Sequence, residues 1–123
     1  MDVTGLHCKV FLNARNTIDD LLGLLARVSP GIVDAHTVAG RYFEMDLRKN
    51  EDWIEGYPRS QPDYFIRFPY YLDVLPTLDT AEGEYIRSVS NLLERRWLIG
   101  IDAVAACDFE DALPMRGGYN PMP

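Results

Sequence analysis

A chain of 123 residues that is 47% hydrophobic and 25% charged has the make-up of a single globular domain, which excludes a disordered chain. Nineteen acidic residues against twelve basic ones give a net charge of −7, a field that repels phosphate backbones and argues against a nucleic-acid partner. No apolar run approaches the ~20 residues of a membrane helix, so no membrane partner is expected either.

From His7 to Asn13 the residues alternate, with Cys8, Val10 and Leu12 on one side and His7, Lys9 and Phe11 on the other, which predicts a strand. Thr17 then caps a helix over 17–29. Asp19 and Asp20 fall in its first turn, and Ile18, Leu21, Leu22, Leu25 and Val28 form its apolar stripe. Pro30-Gly31 ends it. Ile32–Val38 and Arg41–Arg48 read as a hairpin joined by Ala39-Gly40, the second arm turning Phe43, Met45 and Leu47 inward. The segment from Lys49 to Asp63 is a long polar loop, the kind that is functional or mobile in a small domain. Tyr64–Val74 reads as one strand carrying Tyr64, Ile66, Phe68, Tyr70, Leu72 and Val74 on a single face, with Pro69 implying a sheet edge or a bulge.

A second helix is expected over 80–99, with Thr80 as its cap and Glu82 and Glu84 near its start. Tyr85, Ile86, Val89, Leu92, Leu93 and Trp97 make its stripe, Arg95 and Arg96 sit near its end, and Gly100 stops it. Leu22 and Leu93, midway along the two stripes, are expected to be core residues. Ile101–Cys107 is nearly all apolar, as a strand in the middle of a sheet would be. The order is therefore β-α-β-β-β-α-β. Two amphipathic helices need one sheet face between them, so the fold class is α+β: a mostly antiparallel sheet of four or five strands with both helices on one face, a ferredoxin-like variant with its terminal strands adjacent near the centre.

The N-terminal MDVTGLHCKVFLNARN lacks the charged-then-apolar pattern of a secretion signal, which points to the cytoplasm. Cys8 and Cys107 are accordingly expected to be reduced, mostly buried thiols, on strands that could be adjacent. Their spacing from His7 and His36 fits no zinc pattern, and no metal or other cofactor is expected. Gly-rich phosphate loops, Cys-x-x-Cys, His-Glu-x-x-His and Gly-x-Ser-x-Gly are all absent. The two histidines read as surface or structural residues. No catalytic residue is assigned.

Acidic residues are the dense constellation: Glu44 and Asp46 on one outward strand face, Glu51, Asp52 and Glu55 in the long loop, and Asp108, Glu110 and Asp111 after the last strand. Each is read first as part of a solvated surface. The loop also holds Trp53, Tyr57 and Arg59, residue types that dominate protein interfaces. Trp53 and Tyr57 serve equally well as a plug folded over a sheet edge.

The closing segment Ala103-Val104-Ala105-Ala106-Cys107-Asp108-Phe109-Glu110-Asp111-Ala112-Leu113-Pro114, with Gly117-Gly118-Tyr119, resembles the ends of a group of small uncharacterised bacterial proteins. Arg48-Lys49-Asn50-Glu51-Asp52 is similar to them more loosely. In size, acidity and layout the chain also resembles immunity proteins of bacterial toxin systems, including those of contact-dependent inhibition; that likeness is of type and transfers no binding residue.

The expected function is accordingly a small acidic binding protein, an immunity-type inhibitor that occludes a basic toxin domain. Glu44, Asp46, Glu51, Asp52, Trp53, Tyr57, Asp108, Glu110 and Asp111 are its expected partner-binding residues. The alternatives are a small enzyme or ligand-binding domain with a pocket between the sheet and the 49–63 loop, and a dimerisation module; the chain is a monomer or a homodimer.

Overall fold

The computed structural model describes residues 5–29, 31–98 and 100–118. Pro30 and Tyr119, and the side chains of Val28, Arg96 and Trp97, all invoked above, lie outside the described residues.

Six strands, β1 (Cys8–Asn13), β2 (Ile32–Asp34), β3 (Thr37–Ala39), β4 (Phe43–Lys49), β5 (Tyr70–Pro76) and β6 (Asp102–Ala106), form one sheet in the order β2-β3-β4-β5-β1-β6. Every neighbouring pair is antiparallel. Helices α1 (Ile18–Val28) and α2 (Glu82–Leu98) both pack on one face of it. The fold is α+β, as the periodicities require. Setting aside the β2–β3 hairpin leaves the split β-α-β-β-α-β order, with β1 between β5 and β6.

The helical face of the sheet is formed by Cys8, Val10 and Leu12 of β1, Met45 and Leu47 of β4, Leu72 and Val74 of β5, and Ala103 and Ala105 of β6. Against it α1 lays Leu21 and Leu25 and α2 lays Tyr85, Val89, Leu92 and Leu93, all buried. Thr17 caps α1 as its sequence predicts, its hydroxyl accepting the Asp20 N–H at 3.2 Å. Gly100, with φ of +83°, takes the left-handed conformation of a residue just past a helix end.

Several local expectations are corrected. Residues 32–39 hold two short strands: the chain reverses at Ala35-His36, with Ala35 at φ +53°, so Asp34 faces Thr37. Neither turn residue is Gly or Asn, and the hairpin therefore left no turn signal. Tyr64–Arg67 is a 3-10 turn, and the strand begins only at Tyr70. Phe65 and Phe68, three apart, stack on the same side of such a turn and are both buried, while Ile66 points outward. Pro69 forces Phe68 into extended backbone (φ −68°, ψ 155°) and precedes the first ladder pair, so β5 is an interior strand despite it.

Thr80 is not the α2 cap. The Ala81 carbonyl receives the first helical bond from the Tyr85 N–H, while the Thr80 hydroxyl sits 2.6 Å from that of Thr77. Leu22 is only half-buried, because Leu21 and Leu25 occupy the midline of the α1 stripe.

β1 and β6 are indeed neighbours, but β6 lies at the sheet's edge. Its apolar run reflects cover on both faces rather than pairing on both sides. Ala103 and Ala105 meet the helical core, and Val104 meets Phe11, Phe65 and Phe68 on the other face. The free edge is occupied by residues 114–118. There Gly117 comes so close that a Cβ would lie 2.7 Å from the Ala105 carbonyl oxygen.

Candidate functional site

The sheet face opposite the helices is split between a covered part and an open part. The 3-10 turn covers the β1–β6 end, with Phe65 at 5.5 Å from Phe11, centroid to centroid. This cover is supplied by Phe65 and Phe68 rather than by Trp53 and Tyr57.

The open part is a rank of side chains fixed by strand register. Thr37 of β3 faces Asp46 of β4, which faces Asp73 of β5, which faces Lys9 of β1. Because residues two apart share a face, Arg48 and Tyr71 stand in the next rank. These groups are linked. Thr37 donates to Asp46, and Arg48 bridges Asp46 (3.4 Å) and Asp73 (3.2 Å). The His7 Nε2 lies 3.0 Å from the other Asp73 oxygen, and the Lys9 ammonium sits 4.2 Å from the Tyr71 ring centroid. His36 lies 3.7 Å from Asp19 of α1. Both histidines are therefore partnered surface residues.

Asp46 faces outward as alternation predicts, but it is half-buried and already engaged. Glu44, one rank further along β4, is exposed and has no ion pair among the described residues. Beside the rank, the sheet and the start of the loop enclose a concavity of about 700 Å³, lined by Lys9, Asp46, Arg48, Tyr71, Glu51 and Asp52 among others. Its charge is mixed. It offers carboxylates and cations side by side, and one hydroxyl, that of Thr37, held against the Asp46 carboxylate.

The loop itself is well anchored. Asn50 donates to the carbonyls of Ile66 (2.8 Å) and Phe68 (2.7 Å), and its side-chain oxygen accepts the Asp52 N–H. The Ile54 N–H bonds the Arg67 carbonyl, and the Tyr57 N–H the Ile54 carbonyl. Held this way, Trp53 and Ile54 are each 46% exposed. Behind them Trp53, Tyr57 and three arginines line a second concavity of about 200 Å³. Arg15 pairs with Glu55 at 2.6 Å, Arg59 pairs with Asp102, and Arg67 stands over the Tyr57 ring at 5.7 Å.

The sequence-predicted residues therefore divide. Asp46, Glu51 and Asp52 share the larger concavity, and Trp53 and Tyr57 share the smaller one beside it. Asp108, Glu110 and Asp111 lie at the far end of the β1–β6 pair, roughly 17 Å along the strand from the loop. There the Glu110 carboxylate accepts the Cys107 N–H at 3.2 Å. Sequence reasoning set Arg48 outward beside Asp46 but did not join Asp73 and Lys9 to them; the signal was their off-phase position among the inward residues of each strand. No group of three or more His, Cys, Asp or Glu side chains among the described residues is placed to hold a metal ion, and no helix among them is long and apolar enough to cross a membrane. Compared with models of known protein families, with curated proteins and with solved structures, the chain matches none.

Proposed function

We propose that this protein is a binding protein, an immunity-type inhibitor that occludes a basic partner domain with its open sheet face and the loop over 50–57. The observation that carries this reading is the loop: Trp53 and Ile54 are half-exposed on a backbone pinned by its own hydrogen bonds. Beside them stand Glu51 and Asp52, without ion pairs among the described residues. An anchor already in place loses little entropy on binding, and the neighbouring acids supply attraction to a cationic surface. Asp46 and Asp73 contribute less, because Arg48 already pairs with both and His7 hydrogen-bonds Asp73.

Affinity capture from the cells that carry the protein, followed by binding kinetics at two salt concentrations, tests this. Reversing Glu44, Glu51 and Asp52 to lysine together is expected to slow association about tenfold at low salt, and added salt should shrink the difference. Trp53→Ala is expected to raise the dissociation rate by roughly 30-fold, the kinetic equivalent of losing one anchor worth about 2 kcal/mol. Recovery of an acidic partner, or of none, overturns the reading. The concavity of about 700 Å³ between sheet and loop supports a second one, a small-ligand site. A metabolite that raises the melting temperature in the absence of any protein partner would favour it.

A further inference from the structure

The pairing of β1 with β6 brings the two cysteines of the chain together. Lys9 faces Ala106 and Val10 faces Ala105, so continuing the register by one residue sets Cys8 opposite Cys107. Both side chains point to the helical face, and the Cys8 thiol donates a hydrogen bond to the Cys107 sulfur. Directly opposed antiparallel residues have Cα atoms about 4.5–5.5 Å apart, inside the range of about 4.4–6.8 Å that a disulfide spans. Both are free thiols. They differ in access: Cys8 is fully buried, while Cys107, just past the strand end, is half-buried.

We propose that Cys8 and Cys107 form a reversible dithiol–disulfide site, at which Cys107 attacks a low-molecular-weight disulfide and Cys8 resolves the adduct. The proposal is independent of the binding reading. Hydrogen bonds from the Cys8 thiol and then from the Phe109 N–H lower the Cys107 pKa against its partial burial and the neighbouring Glu110 and Asp108 charges, which favours the nucleophilic thiolate there. Cys8 is pushed the other way, by the same contact and by desolvation, and stays protonated until the adduct forms.

The steps balance as thiol–disulfide exchange. The Cys107 thiolate attacks one sulfur of the small disulfide, forms a mixed disulfide and releases one small thiolate. The Cys8 sulfur then attacks that of Cys107, its proton passing to the departing small thiolate. This forms the Cys8–Cys107 bond and releases the second small molecule as its thiol. The protein loses two electrons, and the small disulfide gains them.

Cystamine is a suitable probe, because its positive charges match Asp108, Glu110 and Asp111 around Cys107. The reduced, folded full chain is incubated with cystamine, quenched by acid and analysed by intact mass and peptide mapping. A transient single adduct should give way to a monomer lighter by two hydrogens, with Cys8 and Cys107 in one cross-linked peptide. Dithiothreitol should restore the mass. Cys8→Ala should hold the adduct on Cys107, and Cys107→Ser should leave Cys8 unmodified, with far-UV circular dichroism checking that each variant is folded. The wild-type result stands alone if a variant does not fold. A persistent wild-type adduct, a disulfide-linked dimer, thiols that stay free, or a cross-link that forms only in urea would each overturn the proposal.

Discussion

Leu93→Ala is expected to remove about 2–5 kcal/mol of folding stability, the cost of lost burial plus the cavity left behind. Leu93 is fully buried where α2 meets the sheet, and a loss of that size is a large share of a typical total of about 5–15 kcal/mol. Leu21→Ala and Leu25→Ala, equally buried on α1, should cost similar amounts. Leu22→Ala should cost only about 1 kcal/mol, because the Leu22 side chain already meets water along one side and leaves a smaller cavity. Urea unfolding with an unchanged m-value measures all four. A cost at Leu22 equal to that at Leu21 would mean that α1 is rotated about its axis from the orientation described.

Tyr85→Phe is expected to cost about 1–3 kcal/mol near neutral pH, and the cost should fall as the pH rises past 10. The Tyr85 hydroxyl is buried 2.6 Å from the Leu6 carbonyl oxygen and 3.1 Å from that of Val74, so its proton serves mainly Leu6. Phenylalanine leaves that acceptor in an apolar setting without its donor. Burial, and secondarily the two neighbouring thiols, push the Tyr85 pKa well above its ordinary value. The unfolded chain therefore releases this proton above about pH 10 while the folded protein keeps it. The stabilisation is complete below that pH and is lost above it, with a slope of up to about 1.4 kcal/mol per pH unit. The difference between wild type and Tyr85→Phe in urea unfolding at pH 8 and pH 11 isolates this group. A difference that does not change between the two pH values would contradict the assignment.

The surface was partly legible in the sequence. Alternation along β4 put Glu44 and Asp46 on the outer face, and both are there. It could not show that Asp46 is held by Thr37 and Arg48, or that Asp73 ties Arg48 to His7, since those partners come from strands whose register only the folded sheet sets. The composition of the 49–63 loop marked it as unusual. Which of its aromatics are covered depended on the 3-10 turn that follows: Phe65 and Phe68 reach the sheet first and leave Trp53 exposed.

The sequence by itself determined the two helices, their apolar stripes, the Thr17 cap and the antiparallel α+β class. Each of these follows from side-chain periodicity or from a bond between residues a few positions apart. The tertiary structure alone decided the rest. An apolar run records how many faces of a strand are covered, not how many of its edges are paired, so Ile101–Cys107 could not reveal that β6 closes the sheet at one side. Apolar residues at 64, 66 and 68 fit a strand by their two-residue spacing while Phe65 and Phe68 fit a 3-10 turn by their three-residue spacing, and only the presence of Phe11 and Val104 to receive Phe65 and Phe68 selects the turn. The meeting of Cys8 and Cys107 has the same origin: 98 intervening residues carry no local signal of it, and the β1–β6 register brings it about.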